Sequence, residues 1–188
     1  MLKIAVLVSG GGSNLQSIID MADEIGCSIE LVVADRGCYG LERAAEHGIE
    51  GVLLDRKVYK KNLSEMLDEV LRDRVDLIVL AGFLSILDEN ITNRWKGRII
   101  NIHPSLLPKF GGPGMYGMNI HRAVVEAGER ESGCTVHYVD AGVDTGEIIF
   151  QERVEVKPND TPEDLQKRVL TLEHRLLPQA IKNIAMAH

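Results

Sequence analysis

Short unbroken apolar runs alternate with amphipathic stretches through the first hundred residues. Lys3–Val8 (KIAVLV) is a continuous β-type run, the pattern of a strand covered on both faces. Ser13–Ile25 follows with Leu15, Ile18, Ile19 and Met21 at helical spacing. Ile29–Ala34 predicts the next strand, Leu41–His47 a short helix ended by Gly48, and Val52–Leu54 a brief third strand. Asn62–Arg74 is amphipathic through Leu63, Met66, Leu67, Val70 and Leu71; Asp76–Ala81 is another buried strand, and Arg98–Ile102 closes the series. Strands alternating with helices imply a parallel sheet wound on both faces.

After this series the pattern changes. Lys109–Gly117 holds four glycines and a proline and predicts a loop; Asn119–Ala127 predicts a helix. Cys134–Val139 and Glu147–Val154 predict strands joined through Gly142 and Gly146. Thr161-Pro162-Glu163 is a helix start, with proline in the first turn and acidic residues near the positive end of the dipole. That helix is expected to run through Leu172, with a second stretch around Pro178–Met186. The expected fold is α/β: a Rossmann-like, mostly parallel sheet with helices on both faces, an antiparallel addition in the C-terminal half, and one domain over residues 1–188.

Composition narrows the function. At 188 residues, with 45% hydrophobic and 26% charged residues, the chain is an ordinary globular protein. A net charge of −7 argues against general nucleic-acid binding, which needs a basic face. Cys27, Cys38 and Cys134 are odd in number and lack C-x-x-C spacing, so reduced thiols are expected, with neither a disulfide frame nor a zinc site. No export signal or membrane span is readable, and the cytoplasm is the expected compartment.

Candidate chemistry sits in three segments. Ser9-Gly-Gly-Gly-Ser-Asn14 lies between a buried strand and a helix, where free N–H groups and the helix dipole favour an anion. The plain alternative is a tight turn with an N-cap. The P-loop pattern is absent, and Leu15 stands where a dinucleotide fingerprint needs its third glycine; a monophosphate fits better, although Asp35 would suit a ribose hydroxyl. Asn101 and His103 share one side of a strand that Pro104 ends, which puts an amide donor beside an imidazole at the carboxyl rim. That pair suits a reaction in which a carbonyl oxygen turns negative while a proton moves; a purely structural pair is the alternative. Asp144 lies in a glycine-flanked turn that ordinary turn chemistry would also explain.

Taken together, SGGGSNLQSI at 9–18, AGFLSIL through NIHPSLLP at 81–108, and GCTVHYVDAGVDTGEII at 133–149 resemble the folate-dependent formyltransferases over essentially the whole chain. S-G-x-G-S-N is similar to the branch that formylates 5-phosphoribosylglycinamide. Methionyl-tRNA formyltransferases carry another first loop and an RNA-binding addition, and formyltetrahydrofolate deformylases an N-terminal one; neither addition is expected here.

The resemblance implies a formyltransferase fold and transfer of a formyl group from 10-formyltetrahydrofolate, as co-substrate, to the amine of glycinamide ribonucleotide. It implies small-molecule partners, no nucleic acid, no membrane and no metal, and leaves room for a homodimer. Asn101, His103 and Asp144 match the family's catalytic trio. Gly12, Ser13 and Asn14, with Leu170, Thr171, Leu172 and Glu173, match its contacts to the phosphoribosyl substrate. Leu84, Ser85, Ile86 and Leu87, with Asp140, Ala141, Gly142, Val143 and Asp144, match the segments that hold the formyl-folate, to which Asn101 is also adjacent.

Two departures stand out. Ser85 replaces an arginine common among relatives, removing a contact to the acidic folate tail that Lys60 or Lys61 is expected to supply instead. The 111–117 loop is longer than usual and is expected to be a mobile lid. Of the other histidines, His137 is a candidate support for Asp144. His47, His121 and His188 are expected at the surface or at helix ends, and His174 to pack or cap.

Overall fold

A computed structural model describes residues 1–188. One sheet of seven strands has the order β3-β2-β1-β4-β5-β6-β7. β1 (Leu2–Val8), β2 (Cys27–Ala34), β3 (Glu50–Leu53), β4 (Leu77–Leu80) and β5 (Ile99–His103) are parallel. β6 (Glu131–Tyr138) and β7 (Ile148–Glu155) extend the sheet antiparallel. The mixed doubly wound architecture is the one expected.

Two apolar layers follow from the two-residue period of the strands. Ile4, Val6 and Val8 of β1 face one layer, where α1 (Ser13–Ile25), α6 (Met118–Glu126) and α7 (Pro162–Ala187) pack. Ala5 and Leu7 face the other, built with α4 (Leu63–Leu71), α5 (Glu89–Arg94) and Trp95. β4 divides in the same way, Leu77 and Val79 against Ile78 and Leu80. Buried on both faces, these strands read as unbroken apolar runs.

Two short helices escape the apolar pattern because neither reaches two turns. α3 (Arg56–Tyr59) starts at Asp55, whose carboxylate accepts from the Lys57 N–H at 2.9 Å. Asp88 caps α5 in the same way through the Ile91 N–H at 3.1 Å. α2 (Tyr39–Glu46) starts two residues before the apolar pattern suggested.

The C-terminal helix differs from expectation. It is one 26-residue helix, not two, with Pro178 inside it. An internal proline removes one hydrogen bond and costs about 3 kcal/mol. Leu176, Leu177 and Ile181 around it are buried in the α1–α7 layer. Each such side chain is worth about 1.5–3 kcal/mol, which together exceeds the proline's cost. At its start, Thr161 and Asp164 exchange hydrogen bonds in a capping box. No helix is long and apolar enough to cross a membrane.

The β6–β7 pair carries the turn on which the site depends, and Gly133 sets how closely the two strands approach. A Cβ built on Gly133 would lie 2.0 Å from the Glu152 carbonyl oxygen, which is backbone and cannot swing away. Gly133→Ala is expected to destabilise the protein by about 1–3 kcal/mol through overpacking, measured by urea unfolding; an unchanged midpoint would contradict the tight approach.

Candidate active site

β1 leads to α1 and then to β2 on one side, while β4 lies on its other side. Loops leaving the carboxyl ends of β1 and β4 therefore diverge, opening the crevice where sheets of this kind hold ligands. A cleft of about 490 Å³ occupies it, lined by residues drawn from segments 10–14, 80–87, 101–104, 112–121 and 137–144 and by one face of α7.

Gly12 opens α1 in the left-handed region, φ 75°, and no side chain caps the helix. A Cβ there would sit 2.9 Å from the Gly40 Cα. The first N–H groups of α1 thus stay available beside the cleft, as the anion reading requires. Arg43 braces the loop from behind, its Nε donating to the Gly11 carbonyl at 2.6 Å. Ser13 pairs with His174 at 3.0 Å, so His174 supports the loop instead of merely packing.

Asp35 is not available to a ribose. It is fully buried, accepting from Ser9 at 2.7 Å, from Arg36 at 3.0 and 3.1 Å, and from the Ser85 hydroxyl. Burial alone would raise its carboxyl, but the bonds from Arg36, Ser85 and Ser9 outweigh that and hold it below the usual carboxylate range. The Ser9 hydroxyl also accepts from the Leu84 N–H at 2.8 Å. Ser85 thereby ties the 84–87 segment, with exposed Leu84 and Ile86 and buried Leu87, onto the first loop.

The catalytic candidates meet through strand register. β5 pairs with β6 so that Asn101 stands opposite His137 and His103 opposite Thr135. Directly opposed residues share a face, so Asn101 Nδ2 reaches His137 Nε2 at 3.1 Å. Thr135 pins the segment after β5: its hydroxyl donates to the Ser105 carbonyl at 2.7 Å and accepts from the Leu107 N–H at 3.2 Å. Gln151 on β7 donates to the Leu107 carbonyl at 2.9 Å. Held this way, the segment presents the Phe110 carbonyl to His103 Nε2 at 2.9 Å.

A carbonyl only accepts, so Nε2 of His103 carries a proton and Nδ1 is the nitrogen that can gain or lose one. Nδ1 lies 3.5 Å from Asp144 Oδ1. The same carboxylate oxygen is 3.7 Å from His137 Nε2, and Oδ2 accepts from the Gly112 N–H at 3.1 Å. Asp144 is in the left-handed region at φ 57°, a conformation aspartate tolerates better than most residues. Asp140 organises its turn, accepting from Gly142 N–H at 2.9 Å and Thr145 hydroxyl at 2.7 Å. Led by the Thr145 bond, these contacts hold Asp140 below the usual carboxylate range. Gly146 closes the turn; a Cβ there would be 1.7 Å from the Tyr138 carbonyl oxygen.

On α7, Gln166, Leu170 and Glu173 line the cleft, as i, i+4 and i+7 positions of one helix face must. Thr171 and Leu172 turn away: Thr171 is exposed, its hydroxyl on the Lys167 carbonyl at 3.1 Å, and Leu172 is in the core. Exposed Lys60, in the turn after α3, and Ala141 are also outside the cleft lining. His121, expected near the surface, is instead buried on α6 and lines the cleft. Burial, with His103 nearby, pushes it down to about 4, and its Nδ1 has no protein partner. Helical period from Ile120 and Val124 could have placed it inward. Gln166 was legible in the same way, one turn before Leu170. Residues 112 and 114–117 of the glycine-rich loop line the cleft as well.

Residues 2–181 match the family described as formyl transferase. The chain belongs to the formyl transferase family. It is 41% identical over 190 residues to phosphoribosylglycinamide formyltransferase of Haemophilus influenzae, covering 97% of this chain and 86% of that protein. A trifunctional purine biosynthetic protein adenosine-3 of Drosophila pseudoobscura pseudoobscura is 45% identical over 97% of this chain, which spans only 14% of that longer protein. The crystal structure of glycinamide ribonucleotide transformylase 1 from Symbiobacterium toebii superposes with a TM-score of 0.93 at 41% identity, covering 100% of this chain and 89% of that one. Phosphoribosylglycinamide formyltransferase of Coxiella burnetii gives 0.91 at 38% identity, covering 99% and 88%.

Glu173 is a charge problem that the formyl transferase fold keeps inside its cleft. Burial raises its carboxyl to about 7, the Asn14 amide donating at 3.1 Å only partly offsetting this. A carboxyl whose folded value lies above its unfolded one favours its neutral form in the fold. Its contribution to stability is full below about pH 4.5 and is lost as pH rises through about 7. Glu173→Gln, which keeps an acceptor for Asn14, is therefore expected to gain stability relative to the parent between pH 5 and pH 8. Urea midpoints at the two pH values check it; a constant difference between variant and parent would contradict it.

Proposed function

We propose that this protein transfers the formyl group of 10-formyltetrahydrofolate to the amine of 5-phosphoribosylglycinamide. The observation that carries this reading is the convergence of Asn101, His103 and Asp144 beside a cleft whose far end is the uncapped start of α1. Relatives matched over nearly their whole length bear the name of this activity.

The donor supplies a formyl carbon already activated by its folate nitrogen. Leu84, Ile86, Leu87, Val139 and Val143 give the cleft an apolar wall suited to a flat ring system, beside the main chain of 140–144. At the other end, the N–H groups of Ser13 and Asn14 take the substrate phosphate, and Asn14 and Glu173 meet the ribose. Asn101 donates to the formyl oxygen as it turns negative; losing such a donor costs about 3–4 kcal/mol of barrier. His103 moves the proton through Nδ1, and Asp144 orients the ring and steadies its charged form. The 111–117 loop closes over the phosphoribosyl end. Free thiols at all three cysteines suit a reducing compartment such as the cytoplasm.

Tetrahydrofolate release followed spectroscopically tests the reading. Release should depend on glycinamide ribonucleotide, and release with water alone would show a hydrolase instead. His103→Ala should lower turnover about 10²–10⁴-fold with substrate affinity nearly intact. Hydrogen exchange in 111–117 should slow when substrate binds, and equal strong protection with and without substrate would rule out a closing loop.

A further inference from the structure

His137 makes two bonds that together fix its own tautomer and the rotamer of a neighbour. Its Nδ1 donates to the Tyr138 carbonyl at 2.8 Å, so in the neutral ring Nε2 holds a lone pair. That lone pair faces Asn101 Nδ2 at 3.1 Å, the only hydrogen bond the Asn101 side chain makes within the protein. A lone pair accepts the amide N–H and repels the amide oxygen, so it distinguishes the two ends of an otherwise near-symmetric group. Strand register fixes the encounter, since the two residues are direct cross-strand partners.

We propose that His137 is a positioning residue for formyl transfer: its Nε2 lone pair holds the Asn101 amide nitrogen forward, leaving the second N–H of that amide for the oxygen that turns negative. The inference rests on the formyl-transfer reading above. It gives the Asn101–His137 contact a direction. If Nε2 were protonated, two donors would face each other, and the amide would turn to present its oxygen to His137 and withdraw its nitrogen. The same site would then offer an acceptor where the reaction needs a donor.

The surroundings keep Nε2 unprotonated near neutrality. His137 is almost fully buried, and burial lowers its proton affinity below the ordinary histidine range. The Tyr138 carbonyl and the carboxylates of Asp144 and Asp140 pull the other way, while His103 adds to the lowering. Asp144 Oδ1, at 3.7 Å from Nε2, makes no hydrogen bond to an unprotonated nitrogen. The carboxylate is left to His103 Nδ1 at 3.5 Å, so the two imidazoles have separate tasks: one faces Asp144 through Nδ1, the other holds the amide.

A double-mutant cycle in the formyl-transfer assay tests this. His137→Leu should lower kcat about 10²-fold, the effect of losing one oxyanion donor, with KM for either substrate changed less than about fivefold. In an Asn101→Ala background the same change should alter kcat less than about threefold, because the group through which His137 acts is already gone. His137→Gln, whose Oε1 can stand where Nε2 stood, should recover most of the loss. Independent losses that multiply in the double variant, or a Gln variant no better than Leu, would overturn the proposal. Should the Leu variant fold poorly, the Asn101 side-chain amide resonances of the unaltered protein decide instead. They should shift together with the titration of the His137 ring; a pair of resonances blind to that titration would overturn the proposal. This second readout needs no turnover. A protein without glycinamide-dependent transfer whose Asn101 amide still follows His137 would therefore sink the assigned substrate and leave the positioning intact.

Discussion

The register between β5 and β6 is the constraint from which the site follows. Asn101 opposite His137 and His103 opposite Thr135 put the amide in hydrogen-bond contact with one imidazole and leave both imidazoles within 3.7 Å of the Asp144 carboxylate. Because side chains alternate faces, a slip of one residue would turn Asn101 and His103 away from their partners. The fold resists that slip through the same strands. Thr135 and Gln151 clamp the segment that follows β5, and Gly133 and Gly146 allow approaches that no larger residue could make.

Polar groups in the molecule divide into two sorts. Asp35 and Asp68 are buried with their oxygens fully engaged: Asp35 by Ser9, Arg36 and Ser85, Asp68 by Arg72, Arg94 and Trp95. Such groups fix the scaffold. Cleft residues are less well satisfied. Asn14 Oδ1 and His121 Nδ1 have no protein partner, and Glu173 carries a burial cost. Partnerless buried polar atoms are uncommon in folded proteins, and two of the three here belong to residues that line one cleft. The stability given up there is concentrated where recognition is proposed.

Much of this was legible in the sequence. Strands buried on both faces announce themselves as apolar runs, and the Gly-rich turn, the Asn-x-His pair and the later aspartate stand out by residue type. α3 and α5 were missed because a helix of under two turns shows no period; only their Asp caps marked them. The C-terminal helix was divided at Pro178 because local chain chemistry favours a break that tertiary burial overrides. Thr171 and Leu172 were grouped with Glu173 as a block, whereas helix geometry sends only every third or fourth residue to the cleft. His121 lacked a distinguishing signal beyond the inward face of its helix. The partnership of Asn101 with His137 was out of reach, since antiparallel register cannot be read from either strand alone.

Formyl transfer is proposed to depend on His103 and Asp144 acting as one unit across the 3.5 Å between them. The most direct measurement is kcat for glycinamide ribonucleotide formylation in His103→Ala, Asp144→Asn and the double variant. Cooperation predicts a double variant no slower than the slower single one, within about threefold. Losses that multiply would mean that the two side chains contribute separately, and the arrangement described here would not be the catalytic one.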